Sequence, residues 1–147
     1  MKDRDFRNQG QYQRHSEEIQ KLIKKIREGQ SLASVLKPEE FAKPGGYAEK
    51  IVEELRNKLK TSQLRKIFTE IKNICEVQIK KPDSSKVEIY LLYPKLAYSM
   101  GRGLMPEDFY NLMEACLNKL ENGSKEDFER FLQFITAIVA YNKKYDR

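Results

Sequence analysis

Thr61-Ser-Gln-Leu-Arg-Lys-Ile-Phe-Thr-Glu-Ile-Lys-Asn-Ile-Cys75 sets the fold class. At about 3.6 residues per turn, Leu64, Ile67, Phe68, Ile71, Ile74 and Cys75 share one face. Arg65 and Lys72, one heptad apart, lie on a flank of the opposite face with Thr69 and Glu76 beside them. The pattern is an amphipathic helix, with Thr61 or Ser62 as its expected cap. Downstream, Val87 to Tyr93 has the composition of a strand. No second strand candidate exists to pair with it, and a lone strand leaves its backbone groups unsatisfied. The segment therefore reads as helix, kinked or restarted at Pro94.

The same logic extends outward. Ser16-Glu17-Glu18 supplies a cap and first-turn acids for a helix carrying Ile19, Leu22, Ile23 and Ile26 and ending at Gly29. Residues 30–44 read as a loop with one short turn. Gly45-Gly46 precedes a second long helix with Tyr47, Ile51, Leu55 and Leu59 as its stripe and Glu49 among the solvated positions. Pro106-Glu107-Asp108 starts another, with Pro106 at the first helical position. Phe109, Leu112, Met113, Cys116, Leu117 and Leu120 are its buried face. Ser124-Lys-Glu-Asp127 resembles a capping box with Asp in the acidic place. The last helix carries Phe128, Phe131, Leu132, Phe134, Ile135, Ile138 and Val139. That wide apolar surface marks it as central or as an interface, with Phe134 and Tyr141 at the margin available for self-association. The expected fold is all-α: a compact bundle of five to six helices in one domain, residues 16–147, behind a polar, basic tail, residues 1–15.

Charge is unevenly placed. Arg56 to Arg102 holds eleven Lys or Arg against four Asp or Glu, a balance of +7. The first 55 residues balance at +1 and the last 45 at −2, giving +6 overall. A positive field confined to one part of a helical surface is the footprint of a polyanion binder. Arg65 and Lys72 are expected to reach phosphates, and helix phase and charge add Lys58. Tyr90, Tyr93 and Tyr98 lie among the basic residues. They are placed for base stacking or, the favoured reading, as core tyrosines of a largely apolar helix.

Catalytic and metal chemistry is not encoded. Gly-x-Ser-x-Gly, phosphate-cradling and dinucleotide motifs are missing, and Thr61 and Ser62 have no base. The apolar faces carry no clustered carboxylates for a two-metal site. His15, the one histidine, reads as a solvated residue at a helix flank, and one His with two distant Cys cannot make a zinc site. No cofactor is expected. Cys75 and Cys116 fit buried thiols of a reducing cytoplasm. The first residues lack an apolar secretory segment, and no run of 18 apolar residues exists, so no membrane partner is expected.

Two segments carry a family resemblance. Thr61-Ser-Gln-Leu-Arg-Lys-Ile-Phe68 and, about 30 residues on, Pro94-Lys-Leu-Ala-Tyr-Ser-Met-Gly-Arg102 resemble the signature segments of the small subunit of the type III-A CRISPR effector, the Csm complex. The resemblance spans roughly residues 42–145. It implies an all-α, non-catalytic subunit serving antiviral defence. Several copies would stack beside the guide RNA–target RNA duplex and contact its backbone without reading sequence. The other effector subunits and further copies of the chain are the implied protein partners, and nucleic-acid cleavage belongs to those other subunits. Residue by residue, the first segment nominates Arg65 and Lys66 and the second Lys95 and Arg102 for RNA contact. Two other classes remain open: a helical protein–protein adaptor whose charge serves solubility, and a small DNA-binding regulator turning at Lys60-Thr61. The latter lacks an Asn/Gln/Arg set suited to base edges.

Overall fold

The computed structural model describes residues 17–56 and 58–145. Eight α-helices and no strand lie among them: α1 (Glu17–Glu28), α2 (Leu32–Val35), α3 (Pro38–Phe41), α4 (Tyr47–Glu54), α5 (Thr61–Lys80), α6 (Val87–Gly101), α7 (Glu107–Leu120) and α8 (Lys125–Tyr145). The all-α class holds. The expected count of five to six rises to eight because the stretch read as a loop contains two single-turn helices, α2 and α3. Local chemistry accounts for α2. Ser31 and Ser34 cap each other reciprocally, Ser31 Oγ accepting from the Ser34 N–H (3.2 Å) and Ser34 Oγ from the Ser31 N–H (3.3 Å). The Ser16 cap, His15 and the 1–15 tail fall outside the described residues.

The buried apolar side chains form one cluster drawn from all eight helices and from Leu36, Leu55, Leu59 and Met105 between them. Helix α8 is its centre, packing on α5, α4, α2 and α3, while α1 lies on α7 and α4. Phe134, expected at the exposed margin of α8, is fully buried and meets Phe41 edge-on, ring centroids 5.3 Å apart. Tyr141 is half-buried and donates its hydroxyl to the Ala42 carbonyl (2.7 Å). The apolar surplus of α8 is thus spent inside the fold, and the self-association expected from it loses that basis.

Helix α4 is shorter than its stripe suggested, ending at Glu54 with Leu55 and Leu59 continuing the core through a turn. Its Glu49 is buried, not solvated. The carboxylate accepts the Gly45 N–H (2.8 Å) and the Tyr145 hydroxyl (2.8 Å) and pairs with Lys144 (3.1 Å), fastening the start of α4 to the end of α8. Gly45 reaches that position at φ +81°, a region closed to most side chains. The cap of α5 is Lys60, without a side-chain bond, and Thr61 is the first helical residue, its Oγ1 accepting from Asn142 (3.2 Å). Likewise Pro106 is the cap of α7, one place earlier than expected.

Helix α6 runs unbroken through Pro94, which lies on its exposed side. There the carbonyl left without an N–H partner can be hydrated, so the proline is tolerated. Within the fold α6 is held chiefly by α7. The Tyr93 hydroxyl, between Asn118 Oδ1 (2.7 Å) and the Glu121 carboxylate, fixes that contact.

Candidate nucleic-acid interface

Helices α5 and α6 run in opposite directions. Gln63 Nε2 donates to Ser99 Oγ (2.6 Å), Glu70 pairs with Lys95 (3.4 Å), and Gln78 Nε2 donates to the Ser85 carbonyl (2.9 Å). Between these ties the helices stand apart and leave a groove with two open hollows. The first, about 380 Å³, is lined by Gln63, Lys66, Ile67, Lys95, Tyr98 and Ser99 among others. The second, about 260 Å³, is lined by Asn73, Ile74, Val77, Gln78, Ser85 and Glu88. Glu70 and Lys95 border both.

All six nominated cations, Lys58, Arg65, Lys66, Lys72, Lys95 and Arg102, are exposed. Lys95 alone of them forms an ion pair among the described residues. The structure divides them. Lys66 and Lys95 face each other across the first hollow. Arg102 does not line it, but where α6 stops its guanidinium lies over the ring of Tyr98, which does (5.7 Å). The last-turn carbonyl of Tyr98 is met by the Arg102 backbone N–H (3.0 Å), which leaves the guanidinium to the ring. Arg65 and Lys72 line neither hollow. They share the other flank of α5, since seven residues make nearly two turns. Lys58 lies in the α4–α5 link.

Of the three tyrosines, the core reading holds only in part. Tyr93 is half-buried and tied to α7, and burial followed by the Glu121 contact raises its pKa. Tyr90 and Tyr98 are exposed, and the Tyr98 ring lines the groove. Sequence reading missed Gln63, Ser99 and Glu70. Only Glu70 left a signal, four residues from Lys66 and hence on the same flank.

What the groove can do follows from its parts. Two lysines and a stacked arginine offer donors to phosphate oxygens, and an aromatic face is open beside them. The two thiols lie elsewhere, buried and free. Burial pushes Cys75 up to about 12 and Cys116 higher, so both are protonated and poor nucleophiles at neutral pH. Among the described residues no three His, Cys, Asp or Glu side chains are grouped to hold a metal ion. No helix among them is long and apolar enough to cross a membrane.

No curated relative and no solved structure matches the chain. A family model described as Csm2 Type III-A matches residues 38–147, which take in the groove and all six cations. That match covers most of the chain, and its bounds enclose both segments singled out in the sequence, so the chain belongs to the Csm2 family, the small subunit of the type III-A Csm complex.

Proposed function

We propose that the chain is the non-catalytic, RNA-binding small subunit of a type III-A CRISPR ribonucleoprotein in the cytoplasm. Several copies lie along the guide RNA–target RNA duplex and hold its backbone without reading sequence, in support of antiviral defence. Residues 16–147 act as one helical unit behind the 1–15 tail. The observation that carries the proposal is the +7 segment from Arg56 to Arg102, whose six nominated cations are all exposed and, Lys95 excepted, without an ion pair among the described residues. Unpaired surface cations repel one another, and a polyanion relieves that repulsion while releasing its own counterions. Guide pairing supplies sequence specificity, so shape and phosphate contacts suffice. An adaptor without nucleic-acid contact would need the charge for solubility alone, and solubility does not call for its concentration in one segment.

The test is RNA affinity as a function of salt, by fluorescence anisotropy, for the wild type, Arg65→Ala and Arg102→Ala. Each lost phosphate contact flattens the slope of log K against log salt by about 0.7 on a single strand and about 0.9 on a duplex. Affinity should weaken alike for unrelated sequences, with melting unchanged because both side chains are exposed. Wild-type affinity that ignores salt, or a strong preference for one short sequence, would refute the reading.

A further inference from the structure

Tyr98 is the most exposed large apolar side chain among the described residues, 65% open to solvent, although it lines a hollow with apolar neighbours. The Arg102 guanidinium lies over its ring at 5.7 Å and takes no part in lining that hollow. One ring face is thus covered from outside, and the hollow meets the ring on its other side. The rest of the hollow is built around it. Ile67, Leu92 and Leu96, all buried, form an apolar floor. The Gln63–Ser99 bond (2.6 Å) closes one end and the Glu70–Lys95 pair (3.4 Å) the other. Lys66 and Lys95 place positive charge on the rim. At about 380 Å³ the space falls at the low end for small-molecule pockets, a size that suits a group no larger than a nucleotide.

An aromatic face, an apolar floor and a cationic rim match one ligand chemistry, a flat ring carrying a phosphate. We propose that the hollow is a subsite for a single unpaired nucleotide of RNA, its base stacked on Tyr98 and its phosphate held by Lys66 and Lys95. The proposal rests on the RNA reading above and adds to it a contact with the face of a base. A paired base cannot make that contact. Its two faces are covered by its neighbours in the stack, and an A-form duplex offers a protein only edges, sugars and phosphates. The nucleotide must therefore stand out of the helix, at a bulge, a mismatch or a strand end. Behind the ring, Arg102 holds Tyr98 in position through its cation–π contact. Stacking needs no particular base, because every base has a π-face, and the Gln63 amide already spends an N–H on Ser99. The subsite thus recognises that a nucleotide is unpaired and leaves its identity unread.

Fluorescence anisotropy of the full chain with three labelled RNA duplexes of one sequence tests the proposal. One is fully paired, one carries a single bulged adenosine, and one carries an abasic ribose in the same bulge. The abasic RNA keeps the bend and the phosphate of the bulge, so its comparison with the adenosine isolates the base. A base stacked on an aromatic side chain corresponds to roughly 5- to 150-fold in affinity. In this open hollow the low end applies, and the wild type should bind the bulged adenosine about tenfold tighter than the abasic bulge. Tyr98→Ala should bind the two alike, and Tyr98→Phe should keep the preference. Tyr90→Ala, at an exposed tyrosine of the same helix that lines neither hollow, should keep it too, and melting should be unchanged in all three. Adenosine monophosphate at about 1 mM should not displace the bulged RNA, since one stack and two screened contacts hold a lone nucleotide no better than millimolar.

Equal wild-type affinity for the bulged and abasic RNAs, or a preference that survives Tyr98→Ala, would overturn the subsite. Loss of the preference in Tyr98→Phe would overturn stacking as its basis, and loss in Tyr90→Ala would overturn its placement in this hollow. Displacement by adenosine monophosphate would assign the hollow to a free nucleotide instead of RNA. Failure to bind any of the three RNAs would refute the RNA reading and the subsite with it, whereas binding without discrimination would remove the subsite alone.

Discussion

Glu70→Gln is expected to make the protein bind RNA more tightly. Glu70 is the acid that borders both hollows, and it occupies Lys95 at 3.4 Å. The Lys95 and Glu70 side chains are 57% and 35% exposed, so water screens the pair and it contributes about 0–1 kcal/mol to stability. Its loss should therefore lower the melting temperature by no more than about 4 °C. The effect on binding is larger. A phosphate held between Lys66 and Lys95 would lie about 6 Å from the Glu70 carboxylate, where an effective dielectric of about 40–80 gives roughly 1 kcal/mol of repulsion. Removing it should tighten binding about fivefold at low salt. The freed Lys95 adds a phosphate contact, steepening the salt slope by about 0.7–0.9, so the advantage shrinks about threefold between roughly 50 and 200 mM salt. The assay is anisotropy with a labelled RNA across that range. Glu129→Gln is the control. It makes the same change in net charge from an exposed position on α8 that lines neither hollow. An equal gain in the control, a gain indifferent to salt, or no gain would show that the groove does not hold the phosphate.

Asp127→Ala should destabilise the fold by about 2–4 kcal/mol, lowering melting by about 6–12 °C. The buried carboxylate accepts the Ser124 N–H (2.8 Å) at the start of α8 and the Ala33 N–H (2.9 Å) of α2, so the change combines a lost cap with an orphaned donor. Urea unfolding that moves by less than about 0.5 kcal/mol would refute this. Glu49→Gln should flatten the acid limb of stability. The Gly45 N–H, the Tyr145 hydroxyl and Lys144 together hold the Glu49 carboxyl below its ordinary value of 4.5. The stability it contributes is complete above that value and is lost as pH falls through the lower folded value. Melting temperatures from pH 7 to pH 3 should fall less steeply in the variant, and a parallel fall would exclude the contact.

Long helices were legible because their cores are written in period. Leu64, Ile67, Ile71 and Cys75 are buried as their spacing requires, as are Phe109, Leu112, Met113 and Cys116. The strand-like Val87 to Tyr93 was placed correctly by a backbone argument, since propensity alone pointed the other way. What failed was information carried by partners distant in sequence. Glu49 sits in a polar, periodic context and looks solvated, and only the return of Lys144 and Tyr145 from 95 and 96 residues away buries it. Phe134 looked surplus because Phe41 comes from a segment with no periodicity to announce it. Single turns such as α2 and α3 are too short to show a period, and α2 is held by a serine pair and by Asp127 and Arg130 of α8.

The candidate site divides along the same line. Cations were identifiable one at a time, because a lysine or arginine on the polar side of a helix is exposed almost by definition. Their grouping was not, since it depends on the phase of α5 against α6 and on the length of the loop between them. The grouping matters for how such a surface could work. The groove is open, its donors Lys66 and Lys95 are exposed side chains, and its lining offers no paired amide or guanidinium set suited to a base edge. One copy can therefore make only a few screened contacts, and each is lost readily as salt rises. Repetition is the physical remedy. On the proposed reading, copies held side by side on one duplex would turn later contacts into intramolecular ones, so that weak binding per copy adds up along the guide. On that same reading, a surface built this way would discriminate by length and shape of the nucleic acid and stay indifferent to its sequence, as a subunit serving interchangeable guides would require.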